Sequence, residues 1–115
     1  MSDIKYLTDK IIKHRDARNW KQFHNPKDVS ISLAIEAAEV MEHFQWKNTK
    51  EMEEYVKTHK EHIGEELADV LFYLLLMSYD LGIDIVKAFN KKLKKNEKKY
   101  PIEKARGSHK KYTEL

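Results

Sequence analysis

The chain has 115 residues, 41% of them hydrophobic, with three glycines, two prolines and no cysteine. Such a composition supplies one compact domain with a modest core and favours helices over a turn-rich β fold, while the missing thiols exclude a disulfide framework and thiolate zinc sites. The net charge of +3 is unevenly spread, with +8 from Lys87 to Leu115 and −5 before it.

In chain order, the first helix is expected from about Asp3 to Arg18, where Ile4, Leu7, Ile11 and Ile12 form an apolar stripe. An aromatic connector, Trp20 to Asn25, follows. Asn25-Pro26 reads as an N-cap with proline at the first helical position, opening a second helix toward Trp46. Asn48 to Tyr55 reads as a short helix or turn, and Thr58-His59-Lys60-Glu61 has the form of a capping box that starts helix three. Helix three should run to Leu81, with Gly82 as its stop, and Asp84 should cap a fourth helix that Pro101 ends after Lys99. The basic tail from about Ile102 to Leu115 reads as extended or mobile, within a single domain spanning the chain.

Two expectations about partners come from these elements. Helix three carries Leu67, Val70, Leu71, Phe72, Leu74, Leu75, Leu76 and Met77 on nearly all its sides, which predicts burial inside a bundle and self-association through this helix. The run Lys91-Lys92-Leu93-Lys94-Lys95 reads mainly as a solvated face, a few of whose lysines meet a polyanion. Nucleic acid is not expected, because no aromatics are interleaved with the basic residues. No membrane partner is expected either. The opening residues carry no apolar signal core, and Val70 to Met77 falls far short of the about 20 residues that span a bilayer. A cytoplasmic location is the expectation.

The chemistry lies in two pairs of carboxylates, Glu36-Ala-Ala-Glu39 and Glu66-Leu-Ala-Asp69, inside the two most apolar stretches. Residues three apart share a helical face, so each pair projects together. If the two helices pack, four acids converge where water is scarce, and they repel one another unless they hold cations or protons. Hard oxygen donors of this kind suit Mg²⁺, with Mn²⁺ as a substitute. Each pair belongs to a longer polar stripe, Ser32, Glu36, Glu39, His43 and His62, Glu66, Asp69, Tyr73. A di-iron carboxylate bundle would need Glu-x-x-His, and no such motif occurs. A non-enzymatic helical interaction module is the competing reading; it accounts for the apolar helix three and leaves the four acids without a role.

The runs Glu36-Ala-Ala-Glu39-Val-Met-Glu42-His-Phe-Gln-Trp46 and Glu65-Glu66-Leu-Ala-Asp69-Val-Leu-Phe-Tyr73 resemble the MazG-like nucleotide pyrophosphohydrolases, in particular the dCTP pyrophosphatase branch. The signature E-x-x-E and E-x-x-D is separated here by 26 residues. The likeness extends through Asn19-Trp20-Lys21-Gln22-Phe23-His24 and through Lys92, Asn96 and Tyr100-Pro101. The resemblance implies an all-α four-helix bundle that assembles into homo-dimers or homo-tetramers. It implies Mg²⁺-dependent hydrolysis of a nucleoside triphosphate to monophosphate and pyrophosphate, with dCTP-like substrates favoured. It implies Glu36, Glu39, Glu66 and Asp69 as metal ligands and catalytic residues. It further implies that Trp20, Trp46 and Tyr73 line the nucleoside pocket, and that Lys92 and Asn96 meet phosphates or sugar. The first helix and the tail after Pro101 carry less of the match, and no site residue is assigned to them.

Overall fold

The computed structural model describes residues 2–115. Its regular elements are all helical: α1 (Asp3–Ala17), α2 (Pro26–Glu42), α3 (Thr49–Asp80), α4 (Ile85–Lys99) and the short α5 (Ile102–Ala105), with 3₁₀ turns at Lys21–Phe23 and Tyr112–Glu114. The all-α expectation therefore holds. No described helix is long and apolar enough to cross a membrane. The chain forms two compact units, one ending at Gly82 and one comprising Ile83–Leu115.

Local chemistry explains the helix starts. Ser2 caps α1 by accepting from the Lys5 amide at 3.2 Å. Asn25 accepts from Asp28 N at 2.9 Å, and Pro26 occupies the first turn of α2, where its missing N–H costs nothing. Asp84 accepts from Lys87 N at 3.1 Å to open α4. At the far end of α3, Gly82 takes φ +66, a left-handed conformation that a glycine adopts freely, and the chain turns there.

Two boundaries differ from the sequence reading. Helix α2 ends at Glu42, four residues before Trp46. Residues 43–46 form a turn held by Phe44 N and Gln45 N donating to the Met41 carbonyl, and Trp46 sits at φ +69. The capping box lies at Asn48 and Glu51, with reciprocal bonds of 2.9 and 3.1 Å, and not at Thr58 to Glu61. From there α3 runs for 32 residues, with only a kink at His59 (φ −123, ψ 17). At that kink the Tyr55 carbonyl accepts from Thr58 Oγ1 at 3.2 Å and from His59 Nδ1 at 3.0 Å. Side chains thus occupy the backbone acceptor at the irregular turn, and the helix bends where the sequence suggested a new start. The tail also departs from an extended chain, since α5 and the last 3₁₀ turn lie within it.

Within the first unit, α3 packs against both α1 and α2. The core is small: Val29, Leu75 and Leu76 are buried, together with the guanidinium of Arg15. Arg15 Nη1 donates to both carboxylate oxygens of Asp80, at 2.8 and 3.0 Å, and Nε to Asp16 at 3.3 Å. A buried guanidinium needs such partners, and this pair joins the C-terminal ends of α1 and α3. Helix three is buried only in part. Leu75 and Leu76 are enclosed, but Leu67 and Leu71 are exposed, as are Ile31 and Ile35 on α2.

Candidate metal and substrate site

Helices α2 and α3 bring the acids together as their spacing predicts. Glu36, Glu39 and Glu66 each place a carboxylate oxygen within 4.8 Å of the others. Glu36 Oε2 is buried and has no hydrogen-bond partner, which is costly for a carboxylate oxygen. Desolvation, then a hydrogen bond and charge repulsion from Glu39, with further repulsion from Asp69 and Glu66, push the Glu36 carboxyl up to about 7. Glu66 is also shifted upward, first by its hydrogen bond to Glu39 and then by desolvation and the neighbouring acids. Glu39 thus sits between two carboxyls, Glu36 and Glu66, that are both pushed upward. Three hard oxygen donors, one of them orphaned, fit Mg²⁺ or Mn²⁺ and do not fit a soft metal.

Of the acids, Glu36 and Asp69 line a cavity of about 500 Å³, together with Lys10, Ile11, His14, Trp20, Phe72 and Tyr73. Asp69 lies here beside Glu36, so the fourth acid joins the site from the cavity side. Tyr73 stands one turn beyond Asp69; burial and the charges of Glu36 and Asp69 raise its phenol, while a hydrogen bond with Ser32 opposes the shift. Another cavity, lined by Ala38, Met41, Glu42, Phe44 and Gln45, includes none of the three clustered acids.

Six of the residues singled out in the sequence thus converge: Glu36, Glu39, Glu66 and Asp69, with Trp20 and Tyr73. Trp46 does not line this cavity; it stands 91% exposed in the turn after α2. Lys92 and Asn96 are i, i+4 neighbours on α4 in the second unit. His43 leaves the acidic stripe and pairs with the Tyr55 hydroxyl at 2.6 Å. Helix α1 supplies Lys10, Ile11 and His14, none of which the sequence reading expected. The only sequence signal for them is the i, i+4 spacing of Lys10 and His14 beside the apolar stripe that holds Ile11, which many surface helices share.

Residues 31–115 match the MazG-like family. The dCTP pyrophosphatase 1 of Rattus norvegicus is 36% identical over 117 residues, covering 100% of this chain and 67% of that protein. The dCTP pyrophosphatase 1 of Homo sapiens is 35% identical over the same span, with the same coverage. The crystal structure of a pyrophosphatase from Archaeoglobus fulgidus superposes with a TM-score of 0.83 at 38% identity, covering 88% of this chain and 94% of that one. With the paired acids on α2 and α3, these likenesses place the chain in the MazG-like family, on its dCTP pyrophosphatase branch.

Proposed function

We propose that this chain hydrolyses (deoxy)nucleoside triphosphates to the monophosphate and pyrophosphate in a Mg²⁺-dependent reaction, with dCTP-like substrates favoured. Enzyme class follows from the family and its relatives: it is a nucleoside triphosphate pyrophosphohydrolase. The observation that carries the finer reading is the carboxylate cluster, with its orphaned Glu36 oxygen, opening directly onto an aromatic-walled cavity. A helical interaction module would have no use for either feature.

Glu36, Glu39, Glu66 and Asp69 would hold the metal. Divalent metal bound there supplies positive charge against the triphosphate oxygens and the departing pyrophosphate. The chain's own groups do the rest. Trp20 and Tyr73 offer ring faces to the base and keep the α-phosphorus near the acids. A carboxylate of the cluster orients the attacking water and takes its proton as the new P–O bond forms and the bond to pyrophosphate breaks. Lys92 and Asn96 serve phosphate or sugar, and Trp46 lines the nucleoside pocket. The exposed apolar residues Ile31, Ile35, Leu67 and Leu71 support assembly as a homo-dimer or homo-tetramer. Clearing excess or unwanted triphosphates from a cytoplasmic nucleotide pool fits this chemistry.

The test is hydrolysis of a panel of ordinary and modified triphosphates in ¹⁸O-labelled water with Mg²⁺. Label in the nucleoside monophosphate supports attack at the α-phosphorus. Label in inorganic phosphate, with nucleoside diphosphate as co-product, would sink the proposal.

A further inference from the structure

We propose that the loop of residues 106–111 binds a multiply charged phosphate anion, the chemistry shared by pyrophosphate and the triphosphate of a nucleotide. Only the source of that anion rests on the nucleotide reading above. The structure fixes this loop at both ends. Ahead of it, Arg106 (φ −58, ψ 123) and Gly107 (φ +74) form a type II turn, closed by Ser108 N donating to the Ala105 carbonyl at 3.0 Å. The positive φ is the reason a glycine follows the arginine there. Behind it, the Tyr112 ring meets Tyr100 edge-on at 6.0 Å, and the Lys99 ammonium lies 4.8 Å from the Tyr112 ring centre. Between these anchors, Ser108 Oγ accepts from Lys110 N at 3.2 Å and tightens the backbone.

Residues 104–111 hold four Lys+Arg and no acid. All but Ala105 are exposed, and among the described residues none of the four cations has a carboxylate within salt-bridge distance. The loop is therefore ordered, cationic and unpaired. What it lacks narrows the occupant. A bilayer surface calls for apolar side chains to insert beside the charges, and Ala105 is the one apolar residue in the stretch. Single-stranded nucleic acid calls for free aromatic faces, and the neighbouring Tyr112 ring is already engaged by Tyr100 and Lys99. A small, dense anion needs neither. It needs cations, an arginine fork and hydroxyl or amide donors gathered in a small volume, which is what this turn supplies.

The test titrates the full, ¹⁵N-labelled chain with pyrophosphate, orthophosphate or sulfate at constant ionic strength and without divalent metal. Under these conditions the acid cluster repels phosphate, so the loop is observed alone. The Gly107, Ser108 and Lys110 amides should shift and saturate with pyrophosphate, at a concentration roughly tenfold below that needed with orthophosphate. Arg106→Ala and Lys111→Ala should each weaken pyrophosphate binding roughly tenfold, the loss of one charge-assisted contact, with an unaltered melting temperature. Lys98→Ala should leave it unchanged. Equal loop shifts with all three anions, or an equal loss in Lys98→Ala, would overturn the inference by reducing the loop to diffuse charge. Tighter binding of a single-stranded oligonucleotide, at equal phosphate concentration, would overturn it in favour of nucleic acid. Hydrolysis of dCTP with Mg²⁺ then separates the sources. A raised KM in Arg106→Ala assigns the loop to the substrate's triphosphate, whereas weaker inhibition by pyrophosphate at unchanged KM assigns it to the released product. Absence of turnover by the unaltered chain on every triphosphate would overturn the nucleotide reading, while the titration still decides the anion site.

Discussion

The α2–α3 pair carries two polar clusters, one around Tyr55 and one around Glu39, and they are built on opposite principles. Around Tyr55 every group has a partner. His43 Nδ1 meets its hydroxyl, the His59 ring stacks on it at 3.8 Å and 5°, and the Lys47 ammonium lies 4.3 Å from its ring centre. Around Glu39 the groups are acids facing acids, with a buried oxygen left bare. A cluster that satisfies itself stabilises the fold and needs nothing more. A cluster that does not satisfy itself lowers stability until something binds, which is the mark expected of a working site.

Breaking the two clusters should therefore give opposite signatures. Glu39→Gln and Asp69→Asn should each lower pyrophosphate release by roughly a thousandfold or more, since each removes charge from the metal position. Glu39→Gln should leave metal-free stability equal or higher, because it relieves repulsion. Near-normal turnover in both variants would erase the distinction between the clusters.

Arg15→Ala sharpens the contrast from a third position. It leaves Asp80 without its partner at the core's edge and should cost roughly 2–4 kcal/mol in urea unfolding. A change within experimental error would mean that the pair is ornamental.

The pH dependence of the metal-free chain separates the clusters further. The Glu36 carboxyl, raised from its ordinary value of 4.5 to about 7, is held more tightly protonated in the folded state than in the unfolded one. Its contribution is thus fully present below about pH 4.5 and is lost as pH rises toward 7. Thermal melts should show a falling Tm across that window, flattened in Glu36→Gln and reversed by Mg²⁺, which binds the ionised form. A melting profile identical in Glu36→Gln would contradict the origin assigned to the shift.

Tyr55→Phe should have a smaller effect, about 1 kcal/mol of stability from the lost bond to His43, with turnover unchanged. Smallest of all is Lys98→Ala, expected to change kcat/KM little, whereas Lys92→Ala should weaken it clearly. Equal effects at both lysines would reduce the basic α4 to a solvated surface.

Much of this site can be read directly from the sequence, because its acids obey a local rule. Spacing three apart on apolar helices puts Glu36 with Glu39 and Glu66 with Asp69, and the caps at Asn25 and Asp84 are similarly local. What escaped depends on side-chain and turn geometry that spacing alone does not carry. Thr58 to Glu61 imitates a helix start, but the side chains of Thr58 and His59 fill the Tyr55 carbonyl and the helix carries on. Trp46 reads as the end of α2, yet the chain has already unwound into a turn with positive φ. Helix α1 reads as an ordinary amphipathic surface helix. Its place against the cavity comes from Arg15 reaching Asp80, and nothing near Arg15 in the sequence announces that carboxylate.

That clasp has a consequence for the order of assembly. It joins residues 65 apart, while the His43–Tyr55 contact joins residues only 12 apart. Closing the longer loop costs about 1.5 kcal/mol more chain entropy, so the α2–α3 hairpin with its acids should form first and α1 should dock late. Arg15→Ala should accordingly speed unfolding and leave the folding rate nearly untouched in stopped-flow experiments. The acid cluster would then exist before the wall that α1 adds to the cavity, and that wall would be the part of the molecule that opens most readily.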